Sequence, residues 1–378
     1  MHACTRCFVS FRNKGENWYD AGLLLFLPGW VLSDMNFLNY IIRRLLLLIV
    51  VLIGVTLIIF ALLSLFTPEQ RASAFIRDIK QLEHLDSIIK TYGLDRPIFV
   101  QYFNWLREIF KGNFGWSTTV SRPVIEAFKN FLPNTVELAL FSAPFIILGG
   151  IWLGSVSAVH RDKPLDHFTR FLSIVGWSLP TFWFGLVLLM VFYGYFRGLF
   201  PPEILGYEAK TFVESGEFVR YTRINTIDAL LNGRFWIFVD AIRHLVLPVI
   251  TLTTIQIALV MRIMRSSMLE SLGKGYVLTA RAKGAAPRTV IRRHARRNAL
   301  IPVITVSGWL FAQLMGGVVI TETIFNRKGL GWWWAKAATQ LDIPAVLMAV
   351  LFNGALFVVI NLIVDLLYAY IDPRVRLR

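Results

Sequence analysis

Six long apolar runs constrain the fold of this chain more than any other feature of its sequence. Each has about 20 mainly apolar residues, the length that a helix needs to cross roughly 30 Å of hydrocarbon. Because a bilayer offers no water to backbone N–H and C=O groups, these runs are predicted to be helices. The sequence therefore predicts an all-α fold, a polytopic membrane helical bundle with six transmembrane helices. The predicted spans are approximately residues 41–66, 135–159, 171–196, 244–264, 301–321 and 344–370.

The composition agrees with a membrane protein and excludes several other classes. Hydrophobic residues make up 56% of the chain and charged residues 17%, too few charges for an ordinary soluble domain. The net charge of +15 does not indicate nucleic-acid binding, because the basic residues lie mostly beside and between the apolar runs. The only two cysteines, Cys4 and Cys7, form a lone CxxC, whereas a structural zinc site needs four ligands. No metal site and no nucleic-acid partner are predicted.

The basic residues indicate which way the bundle faces. If the helices alternate in direction, the short loops rich in Lys and Arg all lie on one side, and positive charge marks that side as the cytoplasm. Both termini are then predicted to be cytoplasmic. The basic positions that support this orientation are Arg43, Arg44, Arg161, Lys163, Arg170, the segment 265–297, Arg374, Arg376 and Arg378.

The domain prediction divides the chain into two parts. Residues 1–34 are predicted to be an N-terminal extension without a fold of its own, or an artefact of the start site. Their apolar patch is short for a span and lacks a cleavage pattern, and Met35 is a better start. Residues 35–378 are predicted to be one transmembrane domain.

Two outside segments, residues 67–133 and 197–241, are long enough to have structure of their own. In the first, apolar residues recur at helical spacing from Ile76 until Gly93 and Pro97 stop the pattern. The segments either cap the membrane surface or form a docking rim for an external partner. Spacing alone does not separate these two interpretations.

Two acids within the predicted spans have structural explanations. Glu137 follows Asn134, so Asn134 is predicted to cap a helix in whose first turn Glu137 lies. A role in contacting substrate is the alternative for Glu137. Asp365 lies near the end of the last span and is predicted to form an ion pair with a basic loop residue rather than to relay protons.

Three deeper polar residues are candidates for lining a pathway through the bundle. Unsatisfied polar groups in lipid are costly, so these side chains should face protein or water. Hydrogen bonds between helices explain them equally well. The candidate residues are Thr253, Gln256 and Gln313.

The sequence lacks the groups that catalysis or energy conversion would need. No predicted span carries a series of acids and bases, no loop carries a complete catalytic set, and no Walker phosphate loop is present. A membrane-embedded hydrolase, the alternative from another class, would need paired catalytic groups at one depth. The chain is therefore predicted to be non-catalytic and without a cofactor, and energy for uphill transport must come from another subunit.

The most charged stretch is the segment 265–300, on the predicted cytoplasmic side. Between Arg265 and Arg297 it has nine basic residues against one acid. The segment is predicted to break into two short helices around Gly284, with Pro287 in the first turn of the second. Positive charge alone would explain the segment as a loop that faces the cytoplasm.

Small residues in this segment indicate a docking surface. Tyr276, Ala280 and Gly284 follow one another at intervals of four residues, so they are predicted to share a face with one aromatic side chain and a shallow strip. Such a face fits a groove on a partner protein. A passive channel would not need a basic loop of this kind.

The motifs of this segment and its surroundings carry a resemblance. The stretch YVLTARAKGAAPRTVIRRHARRNALIPVITV resembles the cytoplasmic signature loop of ABC-transporter inner-membrane permeases of the binding-protein-dependent dipeptide/oligopeptide importer family. The stretches TVELALFSAPFIILGGIWLGSVSA, TETIFNRKGLGWWWAKAATQLDIP and NLIVDLLYAYIDPRVR are also similar to that family. The stretches YGLDRPIFVQYFNWL, GNFGWS and WSLPTFWFGLVLL are similar to it as well, so the resemblance extends over nearly the whole chain from Met35 onward. Leu278 is a departure, because the general signature has a basic residue after the Tyr-Val pair.

The resemblance implies a function and a set of partners. It implies one permease subunit of an ATP-driven importer in the cell (inner) membrane, paired with a second homologous permease as a heterodimer. Two cytosolic ATPases would bind the ATP, and an extracytoplasmic solute-binding protein would deliver an oligopeptide, with an oligosaccharide as the alternative cargo. The residues expected to couple to the ATPases are Tyr276, Thr279, Ala280, Arg281, Ala282, Lys283, Gly284, Arg288, His294, Asn298 and Pro302.

Overall fold

The structure is a computed structural model that describes residues 37–73, 85–196 and 198–371. The predicted extension 1–34, the first part of the helix predicted from Ile76 and the basic residues Arg374, Arg376 and Arg378 lie outside the described residues. The helices are α1 (Phe37–Leu63), α2 (Pro68–Ser73), α3 (Leu85–Tyr92), α4 (Ile98–Phe110), α5 (Val124–Val159), α6 (Pro164–Ser178), α7 (Thr181–Leu189), α8 (Tyr207–Glu214), α9 (Asn225–Leu231), α10 (Phe235–Leu272), α11 (Gly275–Ala282), α12 (Pro287–Thr289), α13 (Arg296–Met315), α14 (Val319–Ile324), α15 (Leu330–Thr339) and α16 (Ile343–Ile371).

Two strands and two π-helical turns complete the secondary structure of the described residues. Strands β1 (Trp116–Ser117) and β2 (Arg122–Pro123) form a small antiparallel hairpin. Two π-helical turns, Met190–Tyr195 and Val290–Ala295, follow α7 and α12. The predicted all-α class is confirmed by this predominance of helix.

Several helices are long and apolar enough to cross a membrane. In the part of the chain that the structure describes, four qualify: α5, α10, the helical run Pro287–Ile324, and α16 over Ile343–Tyr368. A fifth results if α6 and α7 are counted as one bent span. Helix α1 contributes a shorter apolar stretch, Leu46–Leu62.

The third predicted span, 171–196, is not one continuous helix. Helices α6 and α7 meet at an angle of 96°. The break follows from Pro180, which has no backbone N–H and disfavours helical backbone at the residue before it. Leu179 accordingly has an extended conformation, with φ −74° and ψ 123°.

The core of the bundle is the contact between α5 and α10. These two helices contact each other more extensively than any other pair, and α6, α7, α9 and α13 also pack on α10. The approach is close because α5 has glycine at the contact. A Cβ atom at Gly154 would lie 2.5 Å from the carbonyl oxygen of Met261 and 2.7 Å from Cβ of Met264.

The predicted N-cap at Asn134 is wrong, because α5 begins at Val124 and continues through Pro133. Asn134 instead donates a hydrogen bond from Nδ2 to the Lys328 carbonyl oxygen, 2.8 Å away. Glu137 is 1% exposed and forms a buried ion pair with Arg327, with 2.6 Å between Oε2 and Nη2.

Glu137 also holds a helix other than its own. Its Oε1 accepts a hydrogen bond from the backbone N–H of Thr226 at 2.8 Å. Thr226 is the second residue of α9, so a carboxylate on α5 satisfies a free N–H at the start of α9. Glu137 thus links α5 to α9 by a hydrogen bond and to the loop that carries Arg327 by an ion pair.

The predicted outside segment 197–241 forms a small cap with its own apolar core. Helices α8 and α9 pack against the first turns of α10, which begins at Phe235 rather than near 244. The buried side chains that form this core are Leu205, Ala209, Val213, Phe218, Ala229, Ile237 and Ala241.

We predict that Glu137→Gln destabilises the protein by about 3–5 kcal/mol, because it leaves the buried Arg327 guanidinium without its counter-charge. Thermal unfolding in detergent measures this change. Glu126→Gln is the matched control, because Glu126 is exposed and lies 4.0 Å from Arg122. Equal unfolding temperatures for the two variants would contradict the assigned role of the ion pair.

Candidate functional site

The basic segment that follows α10 forms a helix, a turn and a second helix. Helix α11 ends at Ala282, and α12 begins with Pro287 at its first position. Between them Gly284 has φ +76°, a left-handed backbone conformation that glycine adopts without steric cost. The predicted break around Gly284 and the predicted place of Pro287 are both confirmed.

The second helix does not stop before the next span. Helix α12 continues through the π-helical turn Val290–Ala295 into α13, so the backbone is helical from Pro287 to Met315. Residues 299–302 lie inside α13. At the other end α10 reaches Leu272. The coupling loop predicted at 265–300 therefore consists largely of extensions of the two spans beside it.

Ala280 does not share the outward face predicted for it. Tyr276 is 41% exposed, whereas Ala280 is 9% exposed, and Gly284 is exposed at the turn. Ala280 and Val277 are three residues apart on α11 and both belong to the apolar core. The burial of Val277 fixes the rotation of α11, and that rotation turns Ala280 inward.

Most other predicted coupling residues lie on the surface. His294 is partly buried, and Asn298 donates a hydrogen bond from Nδ2 to the His294 carbonyl oxygen at 2.9 Å. The hydroxyl of Thr279 donates to the Gly275 carbonyl oxygen at 3.0 Å. The exposed members of the predicted set are Tyr276, Thr279, Arg281, Ala282, Lys283, Gly284, Arg288, Asn298 and Pro302.

The segment and the spans share one apolar core. Val277 and Ala280 of α11, together with Val290 and Ala295 of the π-helical turn, pack in the same buried cluster as α10 side chains such as Met268. Close-packed interiors resist deformation and transmit displacement. A force on α11 is therefore passed to α10 and α13 through packed side chains.

Arg265, which sequence alone placed among the exposed basic residues, is paired inside the protein. Its Nε and Nη2 donate to the two carboxylate oxygens of Asp166 at 2.6 and 2.7 Å. Asp166 is fully buried and also accepts from the hydroxyl of Ser157 at 2.5 Å and the N–H of Asp162 at 3.0 Å. This network joins the end of α5, the start of α6 and the final turns of α10.

No sequence signal identified Asp166. It lies 99 positions before Arg265 in a short charged loop in which every residue looked like an exposed one. Two features of the structure distinguish Asp166 from the other charged residues of this loop. Its carboxylate is buried, and it accepts two parallel hydrogen bonds from the planar guanidinium of Arg265.

A second cation near the loop also has an internal partner. Lys274 Nζ lies 2.9 Å from Glu270 Oε1, and this hydrogen bond raises the pKa of Lys274 above its ordinary value. The pair is exposed, so it orients the residues between α10 and α11 more than it stabilises them.

The three candidate pathway residues lie on two helices that pack against each other. Thr253 and Gln256 of α10 are partly buried, and Gln313 of α13 is exposed. The Thr253 hydroxyl has no hydrogen-bond partner among the described residues. Asp365 lies in α16 and is partly buried, and its predicted ion pair remains a prediction.

Comparison with known proteins identifies the family. Residues 150–377 match the family described as "Binding-protein-dependent transport system inner membrane component", and residues 37–139 match its N-terminal model, "Binding-prot-dependent transport system membrane comp, N-term". The chain belongs to this family. It is therefore a multi-pass protein of the cytoplasmic membrane and a transport subunit rather than an enzyme. It works with a solute-binding protein and an ATPase.

Three relatives show how far the similarity extends. The probable D,D-dipeptide transport system permease protein DdpB of Escherichia coli is 38% identical over 328 residues, 87% of this chain and 94% of the relative. The di/tripeptide transport system permease protein DppB of Pseudomonas aeruginosa is 38% identical over 346 residues, covering 90% and 99%. The oligopeptide transport system permease protein AppB of Bacillus subtilis is 36% identical over 338 residues, covering 89% and 99%.

We predict that Asp166→Asn and Arg265→Gln each destabilise the protein by about 1–3 kcal/mol. The first leaves the partly buried Arg265 guanidinium without its partner, and the second leaves the fully buried Asp166 carboxylate with Arg170, 3.7 Å away, as its remaining cation. The double variant should cost less than the sum of the two, by roughly 0.5–3 kcal/mol, since the second change removes the orphaned charge. Thermal unfolding of all variants in detergent gives the coupling. Arg262→Gln is the control, because Arg262 is exposed and its guanidinium lies over the Trp177 ring, 5.2 Å from the centroid, rather than beside a carboxylate. Strictly additive effects would show that Asp166 and Arg265 do not act as a pair.

Proposed function

We propose that this chain is a permease subunit of an ATP-driven importer of oligopeptides and forms half of the translocation pathway. The observation that carries the proposal is the surface around α11, which is built rigidly onto α10 and α13. Peptide cargo is supported by the relatives, whose names describe permeases for D,D-dipeptides, di- and tripeptides, and oligopeptides. The same relatives favour peptide over the oligosaccharide that was the alternative cargo.

The topology that we propose has six spans and both termini in the cytoplasm. The spans are α1, α5, the bent pair α6–α7, α10, the helical run through α13, and α16. The concentration of Arg and Lys between α10 and α13 supports a cytoplasmic place for that loop. The helix hairpin around Gly284 then faces the cytosolic ATPase.

The partners that we propose are a second, homologous permease, two cytosolic ATPases and a solute-binding protein. ATP is bound by the ATPases, and this chain holds no cofactor. The exposed side chains of α11 and the turn provide the contact surface. Exposed ion pairs contribute about 0–1 kcal/mol each. The arginines therefore orient the ATPase on this surface, and most of the binding energy comes from the fit of the two protein surfaces.

Coupling requires that the bundle has two states with different contacts at the ATPase. ATP biases the equilibrium between them only through that difference. Movement of α11 displaces α10 and α13 because they share its core, and the Arg265–Asp166 pair carries the displacement to α6. Thr253, Gln256 and Gln313 lie on α10 and α13, so a pathway that they line would change with the same movement.

We predict that Gly284→Asp reduces ATP-dependent uptake at least about tenfold while membrane insertion continues. The replacement forces an L side chain into a left-handed backbone conformation, which costs about 1–2 kcal/mol, and adds charge to the docking surface. Uptake of labelled trialanine into proteoliposomes that contain the complete transporter measures the effect.

Gly273→Asp is the matched control for this experiment. Gly273 lies in the same loop and is exposed, but its φ is −86°, so an L side chain fits without strain. Its uptake should stay within about twofold of that of the parent protein. Normal uptake by Gly284→Asp at equal expression would overturn the coupling role.

A further inference from the structure

A groove of about 890 Å³ opens on the face that we propose to be external. Four parts of the chain form its walls: the β1–β2 hairpin, the first turns of α5, the cap of α8 and α9, and the loop between α14 and α15. Clefts of roughly 300–1,000 Å³ are the usual size of small-ligand sites. The groove thus has the dimensions of a site for a short peptide.

Positive charge dominates the lining of the groove. Five cations line it against two acids, Glu203 and Glu214. Within the described residues, Lys210, Arg220 and Lys328 form no salt bridge. Several like charges around one concave surface raise the local concentration of anions. The five cations are Arg122, Lys210, Arg220, Arg223 and Lys328.

The backbone holds Arg223 in an uncommon conformation. Arg223 has φ +63°, which costs energy for a residue with a side chain. The buried carboxylate of Asp228 maintains it, because its two oxygens accept the N–H groups of Thr222 and Arg223 at 2.8 Å each. The Arg223 guanidinium donates from Nη1 to Asn130 Oδ1 of α5 at 3.0 Å.

A second lining residue, Asn326, also has positive φ, +47°. Strained residues are retained where the surrounding structure holds them in place, and they cluster at ligand sites. Asn326 follows the end of α14, where asparagine adopts this conformation readily, so Arg223 is the strained residue of the two. Its held backbone indicates that this part of the groove is preorganised.

One amide in the lining is accessible to a ligand. Asn225 lines the groove, and its side-chain atoms are not among the buried polar atoms without a partner in the described residues. They therefore reach the solvent in the groove, where a polar ligand can form hydrogen bonds to them.

We propose that this groove binds the terminal carboxylate of the transported peptide as the cargo enters the bundle. The inference rests on the proposed peptide function, because a free carboxylate is the anionic group that linear peptides share. The cations attract the carboxylate, and the Asn225 amide is placed to donate to it or to accept from the peptide N–H groups. The concave shape favours a small ligand over the flat surface of a partner protein.

The experiment compares trialanine with its C-terminal amide, trialaninamide, on the complete transporter in lipid nanodiscs without the solute-binding protein. Saturation-transfer NMR titrations give the apparent affinities. We expect trialanine to bind about fivefold more tightly than trialaninamide, and we expect the difference to vanish in Lys210→Gln/Arg220→Gln. The matched control is Lys129→Gln/Arg234→Gln, which removes two exposed cations that do not line the groove.

The outcomes separate this inference from the proposed function. Uptake of labelled trialanine by the parent transporter, with binding protein and ATP, is measured alongside. Two results overturn the groove site alone while uptake is normal. The first is that the parent transporter binds trialanine and trialaninamide equally tightly. The second is that both double variants lose the preference for trialanine to the same extent. No uptake overturns the peptide function and the site together. If Lys210→Gln/Arg220→Gln raises only the concentration of binding protein that half-maximally stimulates ATP hydrolysis, the groove is a docking surface and the inference is wrong.

Discussion

The close contact between α5 and α10 is the constraint on which the rest of the bundle depends. In lipid the hydrophobic effect does not drive helices together, so association relies on close packing and on polar contacts between helices. Gly154 removes the side chain that would keep the two backbones apart. Helices α6, α7, α9 and α13 then pack on α10. Much of the basic loop consists of extensions of α10 and α13. Because both helices are packed in this core, the loop is held rigidly.

Two ion pairs connect the helices of the bundle, one near the predicted external side and one near the predicted cytoplasmic side. On one side Glu137 pairs with Arg327 and holds the start of α9, and on the other Arg265 pairs with Asp166 beside the end of α5. Glu137 joins α5 to α9 and to the loop that carries Arg327, and Asp166 joins α6 to α10. A buried pair gives little net stability against an apolar replacement but is costly to break, so it favours one arrangement over its alternatives.

Sequence reasoning succeeded where local chemistry decides the outcome. The break at Gly284 and the helix start at Pro287 follow from the backbone preferences of those residues, and both are present in the structure. Sequence reasoning failed where contacts with other segments decide how a residue is oriented or where a helix begins. Ala280 was placed on the docking face by its spacing, but the burial of Val277 rotates it inward. Asn134 looks like a cap only if the helix begins there, and the hairpin before Val124 allows α5 to begin earlier.

The sequence by itself determined that this chain is a helical membrane protein and where the loop between α10 and α13 turns. These properties depend on composition, on the length of apolar runs and on the residues at single turns. The tertiary structure alone decided the partners of Glu137 and Asp166, because they lie 190 and 99 positions away. It also decided the groove, whose walls come from four parts of the chain. Contacts between distant segments leave no periodic pattern in the sequence, so only packing reveals them.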